Sequence, residues 1–305
     1  MRNDGGLTLL ELLLVVLILS VAALSAVSLV DRTDQQVRFE DTRGRLSQIR
    51  RAILGPENPA DGPRVLWGYV ADLGVLPGDI ESLVRPPAGA DAFGSRAASF
   101  DPGGGAATVD LDLLAKGWRG PYVTVPPSTD PTTARFRDGW GNLSAVDDGL
   151  HHGWNDLDPT ANPFEIVSRG ADGLAGGTDD YDADAAVQIG SDDWQVVLAG
   201  WSIDVLNSSG GQVDLRVSVL VYGNGSWSRR NSAQAAVADG ATGTFAFAAG
   251  NVVPVGRHLV IVVADSDATE GNGETPYQQP DNSYVTKRVD FWPRTHPATP
   301  PLEVR

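Results

Sequence analysis

From Leu12 to Val30 every position is apolar except Ser20, Ser25 and Ser28, and Glu11 stands at the head of this run. Nineteen or so such residues, at a rise of about 1.5 Å each, are enough to cross a hydrocarbon core of ~30 Å, so the pattern predicts a membrane-length helix. After Val30 the chain turns polar, but Phe39, Thr42, Leu46, Ile49 and Ile53 recur at alternating steps of three and four. That spacing puts one buried stripe on a continuing helix. The two parts read as one helix of roughly 45 residues, about 70 Å long, ended by Gly55-Pro56.

Downstream the period shortens. Ile80 to Val84 reads as a short helix, and residues 86–107, rich in Pro, Gly and Ala, as an insert or exposed loop. Phe164 to Ser168 reads as a strand. Past Trp194 the texture is alternating: Val213 to Tyr222 as a half-buried strand with its odd positions inward, a turn at Gly223-Asn224-Gly225, then strands at Thr244–Ala248 and His258–Ala264. Some five to seven strands in this last third predict a small sandwich or barrel.

Composition narrows the function. The net charge is -16, and Lys occurs only at Lys116 and Lys287, which weighs against a nucleic-acid groove. There is no Cys, hence no disulfide and no thiolate site. No nucleophile elbow, P-loop, dinucleotide fingerprint or zinc-spaced His cluster is present, and His151-His152 reads as a solvated pair, so the chain is expected not to be an enzyme.

Glu11 needs an explanation, because a carboxylate in hydrocarbon costs at least a few kcal/mol and calls for a partner. Were the chain cut after Gly6, Leu7 would carry a free amino group about one turn from Glu11, and a like subunit offset along its axis would present that amine to it. The string Gly5-Gly6-Leu7-Thr8-Leu9-Leu10-Glu11 before a long apolar helix resembles the precursors of the type IV pilin superfamily, with Leu7 where Phe is usual. The resemblance implies cleavage after Gly6 by a prepilin peptidase, N-terminal methylation, and passage through an inner-membrane assembly platform into a filament of like subunits and other pilins. Two plainer readings compete: an ordinary signal peptide cut within Ala22–Ala26, which leaves Glu11 unexplained, and a simple single-span anchor.

Further along, Gly117-Trp118-Arg119-Gly120-Pro121-Tyr122 resembles a pseudopilin phrase that precedes a strand, and Asp138-Gly139-Trp140-Gly141-Asn142 resembles a turn of the same proteins with Gly139 in place of Pro. Between Ser168 and Asp184 lie Asp172, Asp179, Asp180, Asp182 and Asp184 on a Gly-rich backbone. Such acids repel unless solvated or bridged, and Ca²⁺ suits an irregular cage of oxygens. The loop resembles the calcium loop of the major pseudopilin of type II secretion systems. That resemblance implies Asp172, Asp179 and Asp180 as side-chain ligands, with Asp182 or Asp184 as substitutes, and carbonyl ligands from Val167 and Arg169. A solvated acidic turn is the plain alternative.

The expectation is therefore an α+β protein, a long N-terminal helix on an antiparallel sheet in the manner of pilins, plus a C-terminal β-sandwich-like part. Its divisions are a leader at 1–6, a helix at 7–55 with 7–30 in the membrane, a head at 56–194 with the acidic loop at 168–184, and the β part at 195–305. The reading is a structural subunit of a type II secretion or type IV pilus-related filament, membrane-anchored with a periplasmic or surface head. The alternative is a pilin-anchored adhesin acting through the β part; Trp201, Tyr222 and Trp227 could build a sugar-stacking platform for it, but buried core aromatics are the commoner explanation.

Overall fold

The computed structural model describes residues 9–55, 66–103, 108–125, 135–223, 225–267, 269, 271 and 273–305, with backbone alone at 26–31, 95 and 96. Its helices are α1 (Leu9–Leu54), α2 (Tyr69–Leu73), α3 (Glu81–Val84), α4 (Asp148–His151) and α5 (Ser191–Trp194). The strands are β1 (Gly94–Phe100), β2 (Val109–Lys116), β3 (Phe164–Ser168), β4 (Ala185–Ile189), β5 (Gln195–Val197), β6 (Ser202–Asn207), β7 (Val213–Gly223), β8 (Ser226–Asn231) and β9 (Ala235–Val237). They continue with β10 (Thr242–Ala246), β11 (Val252–Pro254), β12 (Gly256–Asp265), β13 (Glu274–Pro276), β14 (Thr286–Phe291) and β15 (Leu302–Val304).

The 46-residue helix α1 is a single element across both predicted halves. Its stripe is buried as the spacing predicts, with Thr42, Leu46, Ile49 and Ile53 inside and Phe39 half-buried. Gly55 stops it: with φ +76 it takes the left-handed position, and its N–H bonds the Arg51 carbonyl at 2.8 Å. A Cβ there would lie 1.7 Å from the Trp67 carbonyl oxygen, so the returning chain passes where only Gly fits.

The stripe packs on α2, α3 and the β3–β4 hairpin, burying Leu73, Leu83, Ile166 and Ile189 with it. The same hydrophobic cluster runs on into the C-terminal third, through Val217, Val219, Val260 and Val262, without a break at residue 195. There the main sheet has six strands in the order β13-β12-β7-β8, with β14 also on β12 and β9 also on β7; β10-β6-β15 and β5-β11 form smaller sheets. Eleven strands are described from Gln195 onward, more than the five to seven expected, because several are only three residues long.

Three expectations are corrected. Residues 86–107 are not simply an exposed loop: β1 lies within them and pairs antiparallel with β2, with Ala98 and Phe100 fully buried. This hairpin lies on the second face of the main sheet, where Leu220, Leu259, Ile261 and Val263 pack with Ala98, Phe100 and Leu114. For that reason β7 is not half-buried, since Leu215 to Tyr222 are inside on both faces. Finally, the Gly117–Tyr122 phrase follows β2, and among the described residues the next strand after it is β3 at Phe164.

Candidate assembly helix and acidic loop

The described side chains of α1 from Leu9 to Ser25 are all exposed, Leu9 at 83% and Leu24 at 72%, and the head packs against none of them. Water does not tolerate a bare apolar rod of this size, so the surface calls for lipid or other helices. The two described serines in it add no unpaired polar group: Ser20 Oγ donates to the Val16 carbonyl at 2.8 Å and Ser25 Oγ to that of Val21 at 3.0 Å. Glu11 lies on the exposed surface of the first turn. Gly6 and Leu7 lie outside the described residues. Among the described residues no helix is long and apolar enough to cross a membrane, the described apolar side chains ending at Ser25 and those of 26–31 being outside that set.

Above the bare segment, α1 changes surface chemistry. Arg38 pairs with Asp34 and Arg45 with Asp41, each at 2.8 Å, and Arg45 Nη1 donates to the Arg137 carbonyl at 2.7 Å. The Asp138–Asn142 turn is seated against this part of the helix. Gly139 N–H donates to Thr42 Oγ1 at 3.0 Å, and a Cβ on Gly139 would fall 2.2 Å from the Arg38 carbonyl oxygen. Asp138, only 2% exposed, accepts from Gly141 N–H, Asn142 N–H and Asn142 Nδ2 at 2.8 to 3.0 Å and from Ser168 Oγ at 2.6 Å. Asn142 Nδ2 also donates to the Gly170 carbonyl at 2.9 Å, tying the turn to the root of the acidic loop.

That loop joins β3 to β4. Tyr181 anchors it, its ring meeting Phe39 of α1 at 5.9 Å and Trp140 at 6.2 Å, edge to face in both cases. Asp172, Asp179, Asp180 and Asp184 are exposed and Asp182 is half-buried. Asp179, Asp180 and Asp182 line one open depression together with Gln35. Asp172 Oδ1 instead accepts from Leu174 N–H at 2.9 Å, Asp184 Oδ2 accepts from Gly176 N–H at 3.0 Å, and the Val167 carbonyl accepts from Asn155 N–H at 3.1 Å. Arg169 is half-buried at the start of the loop. The donors are all oxygen, the type Ca²⁺ takes, but no group of three or more His, Cys, Asp or Glu spaced to hold a metal is found among the described residues.

Of the two readings of Trp201, Tyr222 and Trp227, core aromatics hold for Trp201 and Tyr222, and the three form no exposed platform. Trp201 is buried, stacked on Phe247 with centroids 5.4 Å apart and donating to the Pro297 carbonyl. Tyr222 is fully buried with its hydroxyl on Asp91, and Trp227 is half-buried with its ring edge to face on Tyr222. The His pair is not solvated either. His152 is fully buried with left-handed φ of 54, its Nδ1 accepting from Phe136 N–H at 3.1 Å and its Nε2 lying 2.8 Å from Glu81, while His151 is 6% exposed and lies 3.2 Å from Asp156.

A second set of buried charges belongs to none of the expected sites. Asp72 is 2% exposed, held by Arg119 at 2.8 Å and by the Tyr122 hydroxyl at 3.1 Å, yet burial pushes its carboxyl up to about 6. Lys116, equally buried, is drawn down to about 8 by loss of solvent. In the C-terminal sheet Arg216 bridges Asp265 at 2.8 Å and Glu274 at 3.3 Å, all three buried, with Arg229 on the other oxygen of Glu274. Arg216 occupies a position that alternation assigns to solvent, so no local signal revealed it; Lys116, one of two lysines, was visible as a rarity.

No curated protein and no solved structure matches the chain. Residues 1–27 match the prokaryotic N-terminal methylation motif, typical of type IV pilins and pseudopilins, so the chain carries the signal for prepilin-type processing and for a filament-subunit role.

Proposed function

We propose that the protein is a pseudopilin-like structural subunit of a type II secretion or related filament, cut after Gly6 and inserted in the inner membrane with its head on the periplasmic side. The observation that carries this reading is the bare apolar surface of α1 from Leu9 to Ser25, headed by Glu11, within the methylation motif. Glu11 takes the amine of Leu7 on a neighbouring subunit, and the apolar helices stack while the heads form the outer layer. Mass spectrometry of the mature N-terminus tests it: methylated Leu7 is expected, and a start near Ser25 overturns it. Glu11→Ala is expected to leave processing intact and to abolish filament formation.

We further propose that the acidic loop takes Ca²⁺ through Asp172, Asp179 and Asp180, with carbonyls of Val167 and Arg169; its all-oxygen donor set and the absence of disulfides support this. Calorimetric titration of the chain with Ca²⁺ is expected to give saturable heat that is lost in Asp172→Ala. Absence of heat and an unchanged melting temperature would reject the site.

A further inference from the structure

A cavity of about 450 Å³ opens where β2, α2 and the edge formed by β12 and β14 meet. Four cations line it, Lys116, Arg119, Arg257 and Arg288, against the carboxylates of Asp72 and Asp290. With Asp112, which pairs with Arg288, the set has four cations against three carboxylates, a formal charge of +1 in a chain of -16. A local excess of this sign, in a recess walled by protein, concentrates anions.

The cations are not equivalent. The guanidinium groups stand at the rim and are already paired: Arg119 with Asp72 at 2.8 Å, Arg257 with both oxygens of Asp290 at 2.7 and 2.8 Å, and Arg288 with both oxygens of Asp112 at 2.9 and 2.8 Å. These pairs fix the rim in place. Lys116 is at the floor, 2% exposed, and its ammonium donates one hydrogen bond, to the Ala71 carbonyl at 2.9 Å. An ammonium has three protons to give, so two have no hydrogen-bond acceptor among the described residues. Leaving a buried ammonium in this state is costly, and the depressed affinity of Lys116 for its proton reflects the lost solvent. The rest of the wall is apolar. Leu66, Phe93 and Leu113 form it, and the Arg119 guanidinium lies 4.1 Å over the Phe93 ring.

We propose that this cavity binds a small organic anion, with its carboxylate on Lys116 and a compact planar body against Phe93 and Leu113. Two unspent protons suit one carboxylate. A phosphate dianion is the poorer fit, because the charges of the rim guanidiniums are already matched by Asp72, Asp290 and Asp112, leaving one ammonium against two negative charges that must give up strong hydration. The apolar half of the wall gives nothing to a bare inorganic ion, whereas an aromatic acid fills it.

Calorimetry on the full chain in detergent, with benzoate as probe and benzamide and inorganic phosphate as comparators, tests the site. Saturable one-to-one binding of benzoate is expected, with benzamide weaker by about tenfold or more, as loss of a charge-assisted contact predicts, and no binding of phosphate. Lys116→Met is expected to remove binding. Leu113→Glu, at a position 56% exposed, places a carboxylate at the mouth and is expected to weaken benzoate by about tenfold with no change in melting temperature. No saturable benzoate heat, equal affinity for benzamide, phosphate binding as tight as benzoate, or benzoate affinity unmoved in Leu113→Glu would each overturn the proposal.

Discussion

Ser168 donates its hydroxyl to Asp138 Oδ2 at 2.6 Å, joining the last residue of β3 to the turn that seats on α1. The Asp138 carboxylate, itself buried like Ser168, holds three further donors from Gly141 and Asn142. Asp138→Ala strands these donors together, and each buried donor left unmet costs about 1–3 kcal/mol. A loss on the order of 3 kcal/mol is expected in urea unfolding of the chain, and Asp138→Asn, which keeps one acceptor oxygen, is expected to lose less.

Gly139 makes a separate prediction. A methyl there meets the Arg38 carbonyl oxygen at 2.2 Å and Thr42 Oγ1 at 3.0 Å, both parts of α1. Backbone cannot give way as a side chain can, so Gly139→Ala is expected to cost about 1–3 kcal/mol by pushing the turn off the helix. A methyl on Gly44, within the same helix, would meet no atom within 4 Å, and Gly44→Ala is expected to be neutral or to stabilise by up to about 1 kcal/mol. Thermal melts of the two variants side by side check the contrast.

The buried network around Arg216 is expected to respond asymmetrically. Arg216→Met takes the cation away from Asp265 and from the Arg216-facing oxygen of Glu274 in the sheet interior. The expected cost is about 3–5 kcal/mol. Arg288→Met breaks an ion pair with Asp112 whose guanidinium is half exposed, and the expected change is below about 1 kcal/mol. Equal losses in the two variants would refute the distinction.

Acid sensitivity follows from two histidines and one aspartate. Burial forces His258 down to about 3, with the charge of Lys116 acting in the same direction, and burial lowers His152 as well. The unfolded chain takes up these protons first, so stability falls as pH drops below about 6.5, by up to about 1.4 kcal/mol per pH unit for each histidine. Asp72 acts in the opposite sense. Its folded value of about 6 lies above the ordinary 3.8, so between those values the folded chain holds a proton that the unfolded chain has lost, and acidification in that window stabilises. Urea melts are expected to show a decline that begins near pH 6.5 and flattens to about half its slope below about 6. His258→Gln should reduce the decline, and Asp72→Asn should remove the flattening.

The elements that periodicity reveals are those whose burial is one-sided. The α1 stripe and the strand Phe164–Ser168 show it, with the strand buried at alternate residues. What was hidden depends on distant chain. Gly94-Ser-Arg-Ala-Ala-Ser-Phe100 has weak strand preference, and it becomes β1 because β2 pairs with it and the main sheet covers Ala98 and Phe100. Once that cover exists, the polar half of β7 is inside too, and Arg216 must find its acids 49 and 58 positions away in sequence at Asp265 and Glu274. The acidic loop was visible as composition, but not the Tyr181 anchor or the binding of Asp172 and Asp184 to their own backbone. The His151-His152 pair, read as solvated, is buried, because residue type does not say which way a side chain faces.

The β1–β2 hairpin also sets an order of events. Its apolar side, Ala98, Phe100 and Leu114, is covered, among the described residues, by side chains from Leu220 to Val263. A chain that emerges from its N-terminus therefore presents this hairpin unfinished until more than a hundred further residues have followed. The helix can form early while the head closes late, because contacts this remote in sequence cannot form before both partners are present. Any subunit joined to a filament before Val263 had arrived would carry an open, adhesive sheet, so completion of the head has to precede incorporation.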